Sequence, residues 1–203
     1  MMKNPLIMVA IAAFAAGAFG ALLMYATGGF SGASTYQTGR VDIGGPFTLV
    51  NQDGKTVTDK DFQGKYALMF FGYTFCPDIC PGELQTIAAA LDQLGPEADR
   101  LVPVFITVDP SRDTVSQMAT YVKNFHPRLV GLTGTEEQVR AAAKAYRVYY
   151  AKADNGAPAD AYAINHSAYA YLMGPDGRYV THFPYGISTE KLVEALRKQL
   201  AAR

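Results

Sequence analysis

Two cysteines are the only thiols in this 203-residue chain, and they stand close together in FGYTFCPDICPGEL, as Cys76 and Cys80. Thiols at this spacing support three kinds of chemistry: a structural disulfide, a dithiol that exchanges with other proteins, or a pair of soft metal ligands. A bridge across three residues closes a very small loop and gains little from chain entropy, so stability alone is a poor reason for the pair. Two thiolates alone make an incomplete metal site. Soft sulfur ligands select Cu(I), and copper accepts two Cys with one His, whereas zinc takes a fourth ligand, usually Cys, His or water. A metal reading therefore requires a histidine.

The chain has three. His126, in NFHP, falls at an expected helix end, where an ordinary polar role suits it. His182, in VTHFP, sits on the outer half of an expected hairpin and suits solvent. His166, in INHSAYAYLM, enters a strand from an irregular Ala/Asp/Gly/Pro-rich loop over 151–163. The residues by themselves leave the choice open, and a single histidine is more often structural than a ligand. The spacing also differs from the Cys-x-x-Cys of thioredoxin-like oxidoreductases by one intervening residue.

The N-terminus bears on which thiol chemistry is sustainable. From Leu6 to Ala26 no charged residue occurs, and a helix rising about 1.5 Å per residue would carry that run across a ~30 Å hydrocarbon layer. Residues 1–26 read as a membrane anchor, with AFGA at 18–21 as an alternative signal-cleavage site. Lys3 precedes the run and no charge follows until Arg40, which places the N-terminus in the cytoplasm and the remainder outside. The expected location is the bacterial inner membrane, single-pass, with the C-terminal domain in the periplasm. Disulfides persist in that compartment, and a free thiol lasts only if it is kept reduced or bound to metal. Residues 27–39, rich in Gly, Ser and Thr, read as a flexible tether. The rest, 40–203, suits one domain. Eighteen basic side chains balance eighteen acidic ones, which argues against nucleic-acid binding and against a polybasic membrane patch.

The elements that must position the cysteines follow from periodicity. YALMFF (66–71) and LVPVFITV (101–108) are nearly unbroken apolar runs, the mark of strands covered on both faces. Between them 82–95 has helical spacing and stops at Gly95-Pro96. A helix over 114–127, a strand at RLVGLT, a helix in EEQVRAAAKAYR, a hairpin of HSAYAYLM and RYVTHF about Gly174-Pro175-Asp176-Gly177, and a last helix opening at Ser188 complete the order. Ser111 or Asp113 is expected to cap the 114–127 helix. Met69, Met118 and Met173 read as core, while Tyr73 and Phe75 read as crevice wall and as candidates for partner contact. The order is that of an α/β, thioredoxin-like fold. Cys76 then lies where a central strand gives way to a helix, the usual crevice of open α/β sheets, and helix-end N–H groups there favour a thiolate. If the segment is helical, the second sulfur returns to the same face as the first.

FGYTFCPDICPGEL, ITVDPSRDT, YVKNFHPRLVGLTGT, AYRVYYAK and NHSAYAYLMGPDG, in this order after one apolar segment, resemble the Sco/SenC family of copper-binding assembly proteins for cytochrome c oxidase. The resemblance covers about residues 40–200. It implies a thioredoxin-like domain in which Cys76, Cys80 and His166 bind Cu(I) or Cu(II). It also implies that copper, or reducing equivalents, serves the CuA centre of oxidase subunit II. Another periplasmic copper chaperone or a thiol reductant is a further implied partner. Asp78 matches the family's acidic residue between the cysteines, and Asp109 and Asp113 match its Asp-Pro-x-Arg-Asp element, so Asp78, Asp109 and Asn165 are candidates for supporting the ligands. At 165 the family usually has Asp, so an anion beside the ligand histidine is missing here. Two functions follow, a copper metallochaperone and a thiol-disulfide oxidoreductase that reduces the CuA cysteines. His166 separates them, because exchange chemistry needs the two sulfurs and no histidine.

Overall fold

YALMFFG is buried along its whole length and forms the strand β3 (Tyr66–Gly72). A strand with no solvent face needs cover on both sides and neighbours on both edges. The computed structural model describes residues 42–153 and 161–201, and supplies both. β3 runs parallel to β4 (Leu101–Thr107) and antiparallel to β8 (Tyr169–Met173). β5 (Val130–Thr133) extends the sheet beyond β4, and β9 (Tyr179–Pro184) extends it beyond β8. A hairpin of β1 (Thr48–Asn51) and β2 (Thr56–Thr58) completes the order β2-β1-β5-β4-β3-β8-β9.

The crossover from β3 to β4 is α1 (Ile79–Leu94), which buries Cys80, Leu84, Ile87, Ala88 and Leu91 at helical spacing. It ends at Gly95, whose positive φ of 56° suits a residue without a side chain. α2 (Val115–Val122) is shorter than the 114–127 expected, and its cap is Thr114, whose hydroxyl accepts from the Gln117 N–H. Ser111 and Asp113, the caps expected there, are engaged elsewhere. α3 (Glu136–Ala145) opens with a reciprocal capping box between Thr135 and Gln138. α4 (Thr189–Ala201) packs against α1 and starts at Ser188, which accepts from the Lys191 N–H as its sequence suggested. Met69, Met118 and Met173 are all buried.

Two further strands depart from expectation. β6 (Tyr150–Lys152) and β7 (Ile164–His166) form an antiparallel ribbon of their own, with Tyr150 opposite His166. The stretch expected as one strand from His166 to Met173 is therefore broken at Ser167-Ala168. His166 ends the ribbon, and the hairpin about Gly174-Gly177 begins at Tyr169. The expected anchor (1–26) and tether (27–39) lie outside the described residues, as does 154–160 of the irregular loop. Among the described residues no helix is long and apolar enough to cross a membrane.

Candidate metal centre

The cysteines sit at the turn from β3 into α1. β3 ends at Gly72, where a Cβ would lie 2.7 Å from the Cys80 Sγ and 2.9 Å from Phe105. Glycine is what allows Cys80, fully buried in the first turn of α1, to pack its sulfur against the strand end. Pro81 does not interrupt that turn, because first-turn N–H groups have no helical acceptor. α1 consequently begins at Ile79, ahead of the position 82 expected. Cys76 stays outside the helix, half-buried in the preceding turn.

Asp78 occupies the N-cap position yet makes no side-chain cap. The Cys76 sulfur takes that place: the Cys80 N–H donates to it at 3.4 Å, and the Asp78 N–H also points to it. The Cys80 thiol donates to the same sulfur and is the largest influence. Together with the two N–H groups it outweighs burial and holds Cys76 far below the usual thiol range. The same bond, together with burial, pushes Cys80 up. One sulfur is a thiolate and its neighbour a thiol.

His166 arrives from the β6–β7 ribbon. Its Nε2 lies 3.4 Å from the Cys80 Sγ, and its Nδ1 lies 3.1 Å from the Ser167 carbonyl. A carbonyl only accepts, so Nδ1 carries the proton and Nε2 turns its lone pair toward the sulfurs. The rings of Phe70 and Tyr73 meet the imidazole edge-on, with centroids 6.1 and 5.9 Å away. One donor atom from each of Cys76, Cys80 and His166 lies within 4.8 Å of the other two. Two reduced sulfurs and one oriented imidazole nitrogen suit copper, and no further protein donor is needed.

The other two histidines are occupied elsewhere. His126 accepts the Arg128 N–H on Nδ1 and faces Asp92 with Nε2 at 3.6 Å. His182 is on β9, with Nδ1 2.5 Å from the Tyr179 hydroxyl and its ring edge-on to Tyr169. The residues expected to support the ligands sit differently from one another. Asp78 and Asn165 are exposed, and strand alternation puts Asn165 on the opposite side of β7 from His166, so the Ser167 carbonyl orients the ring in its place. Asp109 is buried and bound to Ser111, Arg112 and Tyr162. Tyr73 is buried, its hydroxyl accepting the Ile164 N–H at 3.2 Å, and Phe75 stands 53% exposed beside the cysteines.

Sequence reasoning passed over the support of the cysteine turn. Asp113 accepts from the Thr74 N–H (3.0 Å), the Thr74 hydroxyl (2.6 Å) and the Thr107 hydroxyl (2.5 Å), tying the residue two before Cys76 to β4. Its signals were an Asp placed where a helix cap was plausible and its match to the Asp-Pro-x-Arg-Asp element, and neither points to the cysteine turn.

A thioredoxin-like α/β sheet, with two sulfurs at its strand-to-helix turn and an imidazole brought over them by a separate ribbon, defines a thioredoxin-like protein with a thiol–imidazole centre. The family model described as SCO1/SenC matches residues 35–201. The chain belongs to that family. It is 44% identical over 163 residues to the mitochondrial protein SCO1 homolog 1 of Arabidopsis thaliana, covering 80% of this chain and 48% of that one. It is 45% identical over 160 residues to the mitochondrial SCO2 homolog of Mus musculus, covering 78% and 62%. The chain thus spans about half to two-thirds of the length of these relatives. The crystal structure of Arabidopsis thaliana ScoI with copper bound is similar at a TM-score of 0.75 and 44% identity, covering 79% of this chain and 99% of that one. Yeast Sco1 with copper bound gives 0.73 and 36%, covering 80% and 90%.

Proposed function

We propose that this protein is a copper metallochaperone that binds one copper ion through Cys76, Cys80 and His166 and assists assembly of the CuA centre in cytochrome c oxidase subunit II. The observation that carries the reading is the meeting of two sulfurs and one imidazole nitrogen within 4.8 Å. Its support is membership of a family in which Arabidopsis ScoI and yeast Sco1 have copper-bound structures. Copper is cargo here, held as Cu(I) or Cu(II) by the two sulfurs and the imidazole, and passed on by ligand exchange. Residues 1–26 would anchor the domain to the bacterial inner membrane with the site in the periplasm, where another copper chaperone loads it.

A second reading has its own observation. The Cys76 thiolate beside the Cys80 thiol is an attacking and resolving pair suited to reducing the CuA cysteines, with a thiol reductant restoring the dithiol. Titration of the reduced protein with Cu(I) against a competing chelator tests the first reading. One copper per chain is expected, with loss in Cys76→Ala; a stoichiometry far from one, or equal retention by that variant, refutes it. His166→Ala then separates the two. In a strain whose oxidase depends on this protein, the chaperone reading expects oxidase activity to fall at low copper. Normal activity in His166→Ala alongside failure in Cys76→Ser selects the reductase.

A further inference from the structure

The two halves of the centre reach it by different routes. The cysteines are fixed by the main sheet and α1, whereas His166 hangs on a two-stranded ribbon that shares no ladder with that sheet. Something must hold the ribbon over the cysteine turn. Arg112 occupies the gap. Its Nε donates to Asp109 at 2.5 Å, and its Nη1 donates to the Tyr162 carbonyl at 3.0 Å, just ahead of β7. Its guanidinium lies 3.7 Å from the centroid of the Tyr162 ring, 4.8 Å from that of Phe75 and 5.7 Å from that of Tyr73. Phe75 adjoins Cys76, and Tyr162 lies one strand-length before His166. The Tyr162 hydroxyl returns to the same anchor, donating to Asp109 at 2.7 Å. One planar cation is thus stacked between the cysteine turn and the histidine strand, with Asp109 holding it from β4's side.

The geometry points to Arg112 as a positioning residue: with Asp109 and Tyr162 it clasps the β6–β7 ribbon against the cysteine turn, so that copper meets three ligands in place of two. This inference rests on the copper reading only for its consequence. The clasp itself is a property of the metal-free protein. Opening it withdraws His166 and leaves both sulfurs in place. Two soft thiolates still suit Cu(I), so the loss falls on Cu(II), for which the imidazole matters more.

Arg112→Lys is the informative variant, since lysine keeps the charge and loses both the fork and the flat stacking face. In the reduced, metal-free protein, amide exchange at Ile164 should quicken about tenfold while β3 amides keep the parent rate. The Cu(II) complex should weaken about ten- to hundredfold and take on the spectrum of His166→Ala, as loss of a ligand's support does. Cu(I) affinity should change far less. Tyr162→Leu, which removes the stacked ring and the hydroxyl, should repeat the exchange result and serves if Arg112→Lys does not fold. Parent-like exchange at Ile164, or exchange quickened equally in β3 and β7, overturns the clasp. So does a Cu(II) spectrum like the parent's. A parent protein that binds no copper sinks the copper reading instead, and amide exchange still decides the clasp.

Discussion

Cys76 and Cys80 are chemically unequal although one turn separates them. Cys76 is half-buried, collects N–H groups and a thiol hydrogen bond, and is held as a thiolate; Cys80 is sealed against Gly72 and keeps its proton. Reactivity follows thiolate fraction and access. With limiting iodoacetamide at pH 6, one thiol per chain should react fast, and peptide mapping should find the label on Cys76. Cys80→Ala removes the largest stabiliser of that thiolate, so the pH at which its labelling rate reaches half of its plateau should rise above the parent's. Equal labelling of both sulfurs, or an unchanged pH midpoint in Cys80→Ala, would contradict the asymmetry. The pair itself was legible because the chain has no other cysteines and they share one motif. His166 was legible through the resemblance, and residue chemistry alone could not choose it over His126 and His182. Its orientation by the Ser167 carbonyl left no trace, since every residue has a carbonyl.

At the scale of elements, long apolar runs were readable and short edge pieces were not. β3 and β4 announce themselves because strands covered on both faces lose their alternation. β1, β2, β6 and β7 have three or four residues each, too few for a period, and tertiary pairing decides them. The same limit hid the β6–β7 ribbon that delivers His166, so the histidine was expected at the start of the hairpin. Asp113 shows how a cap signal misleads. Its spacing before a helix suited an N-cap, but Thr114 serves there, and the Asp113 carboxylate turns inward to anchor Thr74. Asp113→Ala should leave the buried Thr107 hydroxyl and the Thr74 N–H without their acceptor, costing about 2–3 kcal/mol. Thr74→Ala should cost about 1 kcal/mol, since the Thr74 N–H keeps its bond. Urea unfolding at pH 7 measures both, and an Asp113→Ala loss no greater than that of Thr74→Ala would show that Asp113 is not the anchor.

At the scale of the molecule, α1 carries Cys80 on the sheet and Glu83 less than a turn later beneath the Tyr185-Gly186 turn, so the site helix also joins the site to the α4 end of the fold. Glu83 is 2% exposed. One carboxyl oxygen takes the Gly186 N–H, and the other has no hydrogen-bond partner among the described residues. Burial outweighs the single bond and pushes the group up to about 7 from an ordinary 4.5. The sign follows from which state takes the proton. Below pH 4.5 the folded and unfolded chains both hold it, and stability is complete. Between 4.5 and about 7 the unfolded chain releases it first, so stability is lost as pH rises, and above 7 the loss is constant. The full effect is about 3 kcal/mol. Glu83→Gln keeps the shape and carries no titrating proton. It should therefore unfold at higher urea than the parent at pH 8, lose that advantage near pH 4.5, and show a flatter stability profile between. Metal-free protein with reduced thiols is the form to use, so that copper binding does not enter the comparison. A parent profile with no fall between pH 4.5 and 7, or the same fall in Glu83→Gln, would show that Glu83 is already charged in the fold and that the buried oxygen has a partner.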